Sequence, residues 1–190
     1  MDVLTLLKSA SLLVPEETAG ENDLTVDDVW EYLAHDEWEV ALGLLEELGD
    51  VRPLPAAFWA SMAAAAKELR LERSAAWCHW REGETRHGVI RADLTLCAPS
   101  DGGRRSPVPG VLRPMWDIGH RTATGEPAYA VARLWVEGAP ALEPGGRAPV
   151  RLAPLTPELW RHLRPGRVIT LHETRRVGGT AVLLEVGLPG

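Results

Sequence analysis

The stretch Tyr129-Ala130-Val131-Ala132-Arg133-Leu134-Trp135-Val136 decides the reading of the carboxy-terminal half. Its residues alternate in polarity with a period of two, which places successive side chains on opposite faces of an extended strand. Five further runs, of five to eight residues, share its β-prone character: Val89 to Leu96, Val111 to Ile118, Ala148 to Leu152, Arg167 to His172 and Ala181 to Val186. Each is bounded by Gly or Pro, so the pattern predicts short antiparallel strands closed into a barrel or sandwich. One segment breaks the pattern. Thr156 to Leu163 predicts a helix, with Thr156 as cap, Pro157 at the first helical position and Leu159, Trp160 and Leu163 on one face.

Upstream of Gly83 to Gly88 the periodicity changes to that of helices, so we expect two domains, 1–86 and 89–190, and an α+β fold. Asp2 to Val14 carries Leu4, Leu7 and Leu12 and predicts a short apolar helix. The polar stretch Pro15 to Asn22 is expected as a loop. Thr25 offers a cap for a second helix, with Asp27 and Asp28 in its first turn, where the helix dipole favours acids. Glu37 to Leu48 follows, with Trp38, Ala41, Leu42, Leu45 and Leu48 on one face and Gly49 as the expected stop. Pro53 and Pro55 separate it from an Ala-rich helix, Ala56 to Leu71, and Arg73 to Arg81 predicts a fifth. The short connections suggest stacked antiparallel pairs. The tryptophans at 30, 38, 59 and 77 lie on apolar stripes and are expected in the core.

Charge divides along the same line. Residues 1–88 hold 18 acidic and 7 basic side chains, whereas residues 89–190 hold 9 and 13. Asp27, Asp28, Glu31, Asp36, Glu37 and Glu39 are the densest acidic set and the candidate partner-binding face. Cys78 and Cys97 stand without a metal-ligand pattern and are expected as thiols rather than a disulfide. No apolar run is long enough to span a bilayer, and Met1-Asp2-Val3 lacks a basic leader, so the expected location is the cytoplasm. No Gly-x-x-x-x-Gly-Lys-Ser/Thr, Gly-x-Ser-x-Gly or His-Glu-x-x-His motif occurs. The sequence therefore predicts no catalysis, no metal, no nucleotide and no other cofactor.

Four motifs in order carry a resemblance. They are Gly102-Gly103-Arg104-Arg105-Ser106-Pro107, Leu112-Arg113-Pro114-Met115-Trp116, Pro144-Gly145 and His172 through Gly178. Read together, Ile90 to Val186 resembles the third domain of elongation factor Tu, a small β-barrel. The resemblance implies a barrel that grips and positions other macromolecules, including the T-stem backbone of aminoacyl-tRNA. It makes Glu173 the counterpart of a tRNA-contacting glutamate, while Met115 stands where the family has glutamine and Thr174 replaces a Gly-Gly pair with one residue lost. The nucleic-acid candidates are accordingly Arg104, Arg105, Arg113, Glu173 and Arg175. The helical half, through Asp28 to Leu33, Glu39 to Leu45 and Phe58-Trp59, resembles small helical immunity proteins of bacterial toxin systems. Sequence thus predicts a cytoplasmic binding protein with a protein partner, as an immunity-type neutraliser of a toxin. The alternative is a translation-related module that binds tRNA or a component of the translation machinery.

Overall fold

The structure is a computed structural model and describes residues 2–109, 111–173 and 176–188. The chain divides into two compact units, residues 1–86 and 87–190. The first is all-helical and the second is a closed six-strand antiparallel barrel, so the fold is α+β.

Five helices build the first unit: α1 (Val3–Ser11), α2 (Val26–Ala34), α3 (Trp38–Val51), α4 (Ala56–Glu68) and α5 (Glu72–His87). Asp2 caps α1 by accepting the Thr5 N–H at 2.8 Å. Helix α1 packs on α2, α3 and α4, and its Leu7 and Ala10 are fully buried with Leu42, Leu45, Phe58 and Met62. Helix α3 does not stop at Gly49, contrary to expectation. It runs on to Val51, because the Trp59 indole of α4 lies against Gly49, and a Cβ there would come within 2.5 Å of the ring. Gly49 is a packing notch, not a terminus. Of the four tryptophans expected in this core, Trp59 is fully buried, and Trp30, Trp38 and Trp77 are half-buried.

Arg81 fastens α5 to the rest. Its guanidinium pairs with Asp50 of α3 and with Glu84 at 3.1 Å, donates to the Gly49 carbonyl, and stacks on the rings of Trp59 and Trp77. The charge is neutralised twice and the planar face covers two aromatic rings, a geometry that suits arginine.

The second unit contains β1 (Val89–Leu96), β2 (Val108–Pro109), β3 (Val111–Leu112), β4 (Met115–Asp117), β5 (Ala130–Val136), β6 (Ala141–Leu142), β7 (Arg147–Pro154), β8 (Val168–His172) and β9 (Val177–Gly187). Strand β1 pairs with β7 and β9, β9 with β8, β8 with β4, and β4 with β5. The β5–β7 pairing closes the ring. Strands β3 and β4 form one interrupted side of it, broken at Arg113-Pro114 because proline has no N–H to give the ladder. Strands β2 and β6 make a separate two-stranded ribbon. Ile90, Ala92, Leu94, Ala132, Leu134, Leu152, Ile169, Leu171, Ala181 and Leu183 alternate inward and fill the interior around Trp116 and Trp160. The helix expected over Thr156 to Leu163 is only a 3-10 turn, Pro157–Trp160. Trp160 and Leu163 are the buried anchors there, and two inward side chains are satisfied without continuing the helix.

Cross-strand register also organises the exterior. Arg91 opposes Arg151, and Glu137 lies between them, accepting two hydrogen bonds from Arg91 at 2.8 Å and forming an ion pair with Arg151 Nε at 2.9 Å. Arg147, diagonal to Asp93 across the β1–β7 ladder, donates to it at 2.9 Å. Most charges on this side of the barrel thus lie in pairs set by the ladder.

Candidate binding surfaces

The acidic set lies at the α2–α3 corner. Thr25 begins α2, and its backbone N–H and hydroxyl both donate to Asp28 at 2.7 and 2.9 Å. That backbone bond, followed by the hydroxyl, holds the Asp28 carboxyl below the usual carboxylate range. Asp28 is therefore used as a cap. The other five, Asp27, Glu31, Asp36, Glu37 and Glu39, are exposed and have no ion-pair partner among the described residues. They are held in a tight turn. The Tyr32 carbonyl accepts the His35 and Glu37 N–H groups, and Asp36 takes a left-handed conformation with φ of 59°. Tyr32 and Val40 stand exposed among these carboxylates, at 37% and 42% of their full surface. Two sizeable apolar side chains are thus exposed in the same corner as these carboxylates.

The basic set on the barrel is arranged differently. The loop after β1 folds back so tightly at Gly103 that a Cβ there would fall 2.1 Å from the Cys97 carbonyl oxygen. Only glycine fits that approach. The turn carries Arg104 to Glu173, with which it forms an ion pair, while a second guanidinium nitrogen of Arg104 lies 3.2 Å from the Ser106 hydroxyl. The Cys97 N–H donates to the Gly178 carbonyl at 2.9 Å, and Arg176 lies beside Gly102, so this loop and the β8–β9 turn meet. Of the nucleic-acid candidates, Arg104 and Glu173 are brought together and neutralise each other. Arg105 and Arg113 are exposed without a partner among the described residues. Arg175 lies outside the described residues.

Two features escaped the sequence reading. His172 is buried, its ring against Tyr129 and one nitrogen 2.9 Å from the Thr170 hydroxyl, while its Nδ1 faces no protein partner. The residues meet through the β8–β4 register, which pairs His172 with Met115 and Thr170 with Asp117. In the helical unit Glu46 is largely buried beside Ser74 and Cys78, and burial raises its carboxyl above the ordinary range against the pull of those two hydrogen bonds. Burial also pushes the Cys78 thiol up, with the Glu46 charge adding to it. A thiol so shifted is a poor nucleophile. Both cysteines are free.

Comparisons with protein-family models and with curated proteins returned no match. Among the described residues no helix is long and apolar enough to cross a membrane.

Proposed function

We propose that this protein is a non-catalytic, cytoplasmic binding protein whose helical unit presents the α2–α3 acidic corner to a basic partner protein. The observation that carries the reading is the set of five exposed carboxylates with no internal cation, surrounding Tyr32 and Val40. Asp27 and Glu39 favour the first turns of α2 and α3, but five like charges crowded without a cation repel one another, and an external cation would relieve that repulsion. The chemistry fits an immunity-type role. An acidic face that covers the basic substrate-binding surface of a nuclease toxin steers fast encounter and blocks substrate by occlusion.

The test is to look beside the gene for one encoding a basic nuclease toxin and to titrate the full chain calorimetrically with that purified toxin domain; the absence of such a gene would count against the immunity-type role. Wild type is expected to bind the toxin domain, and Glu31→Lys/Glu37→Lys/Glu39→Lys to bind at least about tenfold more weakly, since each close charge pair contributes on the order of a kcal/mol or more. Equal affinity of the two proteins would contradict the proposal.

A second reading is favoured by the meeting of the Gly102–Pro107 loop with the β8–β9 turn, where the resemblance to elongation factor Tu places tRNA contact. In that reading the exposed Arg105 and Arg113 neutralise phosphates, with Arg104 released from Glu173. It is the weaker reading because the central cation of that surface is already spent on Glu173.

A further inference from the structure

A second charged surface occupies the end of the barrel where the turn after β4 meets the turn after β7. Its cations are Arg121, Arg161, Arg164 and Arg167, all exposed. Two of them brace the backbone. Arg121 pairs with Asp117 at 2.9 Å and donates to the His120 carbonyl, and Arg164 donates to the carbonyls of Arg161 and Leu163. The other two, Arg161 and Arg167, have no acidic partner among the described residues, and Arg167 lies over Gly119.

The platform beneath them is built, not incidental. The His162 ring touches that of His120, with centroids 4.7 Å apart. His120 Nε2 and His162 Nδ1 both lie within hydrogen-bond reach of the Leu159 carbonyl, at 2.8 and 3.0 Å, and His162 Nε2 lies 2.9 Å from the Ile118 carbonyl. The imidazoles therefore tie the two turns together, while Trp160 and Leu163 anchor them in the core. Leu155 and Leu159 lie in the same connection between β7 and β8 as Arg161, Arg164 and Arg167, and are exposed at 56% and 41%.

We propose that this end of the barrel docks an acidic, amphipathic segment of a partner protein. Its carboxylates meet Arg161 and Arg167, and its apolar side chains cover Leu155 and Leu159. The leucines decide the class of occupant. A phosphodiester backbone gains nothing from aliphatic surface, and nucleic-acid grooves interleave their cations with rings that are free to stack. The two rings here are turned on each other and held by carbonyls. Arginine is enriched at protein interfaces, and aliphatic surface beside it gains from being covered by the apolar side chains of a protein segment. The surface lies in the other unit from the acidic corner and has the opposite charge, so the two proposals stand or fall separately.

Fluorescence anisotropy of the full chain with a short labelled peptide of Glu-Glu-Leu-Leu repeats tests this. Wild type is expected to bind, the matched Gln-Gln-Leu-Leu peptide to bind at least about tenfold more weakly, and Arg161→Glu/Arg167→Glu to lose about tenfold or more in affinity. Leu159→Ser is expected to lose severalfold, and Arg105→Glu, on the other basic loop, to behave as wild type. An unchanged thermal midpoint verifies that each variant is folded. The proposal is overturned if the peptide does not bind, if the double variant binds like wild type, or if a single-stranded RNA or an anionic vesicle binds more tightly than the peptide.

Discussion

The helical unit and the barrel treat charge in opposite ways. On the barrel the ladder sets acids against bases, so that Glu137 lies between Arg91 and Arg151 and Asp93 beneath Arg147. In the helical unit Arg81 gathers Asp50 and Glu84, but five carboxylates of the α2–α3 corner have no ion-pair partner among the described residues. The same residue types thus do different work. Where register fixes a neighbour, charge becomes structural, and where a helical turn exposes it alone, it remains available to a partner.

The largest effect expected from breaking this contrast is at Glu137. Burial alone pushes its carboxyl up, but hydrogen bonds and charges from Arg91 and Arg151 outweigh that and hold it below the usual range. Glu137→Gln removes the carboxylate charge shared by Arg91 and Arg151, the latter only 9% exposed. We expect a loss of about 2–3 kcal/mol, somewhat under the cost of stripping a fully buried pair. Hydrogen exchange of β1, β5 and β7 amides reads it. Arg81→Ala is expected to cost the helical unit about 2 kcal/mol, since two ion pairs and the cover over Trp59 and Trp77 go together. Protection of α5 amides should fall while that of the barrel stays unchanged.

A sharper comparison comes from pH. A depressed carboxylate such as Glu137 contributes stability that is present above its unfolded pKa and lost as pH falls through the folded value. Glu46 is the reverse case. Its raised pKa means the fold prefers the protonated acid, so the helical unit loses stability as pH rises from the ordinary carboxylate range toward the folded value. Unit-resolved exchange protection is therefore expected to shift in opposite directions on mild acidification, and Glu46→Gln to flatten the helical response. A parallel response in both units, traced to these two residues, would refute the assignment. The smallest effect is expected at Arg104. Arg104→Ala breaks a partly exposed pair with Glu173 and is expected to shift stability by at most about 1 kcal/mol.

Much of this was legible in the sequence because its signals are local. The alternation of Ala130–Val136 and the Gly/Pro punctuation are consequences of strand geometry, and they marked the barrel strands directly. Thr25 marked the start of α2 in the same way. What could not be read depended on residues far apart in the chain. Gly49 looks like a stop until Trp59, ten residues on, is seen to need the space. Thr156-Pro157 opens a turn well, but whether it continues depends on where Trp160 and Leu163 find the core. The candidate surfaces divide similarly. The acidic corner is contiguous in sequence and was visible as a cluster, although the diversion of Asp28 to capping was not foreseen. The Arg104–Glu173 pair, the buried His172 and the histidines joining two turns required the closed ring.

The most direct test of the central claim is the association rate of the full chain with the basic partner domain proposed for it, measured by stopped flow from low to high salt. If the α2–α3 carboxylates are a docking surface, wild type should associate rapidly at low salt and slow by about tenfold or more as ionic strength rises, and Glu31→Lys/Glu37→Lys/Glu39→Lys should lose that dependence while unfolding within about 0.5 kcal/mol of wild type. A rate indifferent to salt, or a triple variant that associates like wild type, would show that the acidic corner is only a solvated surface.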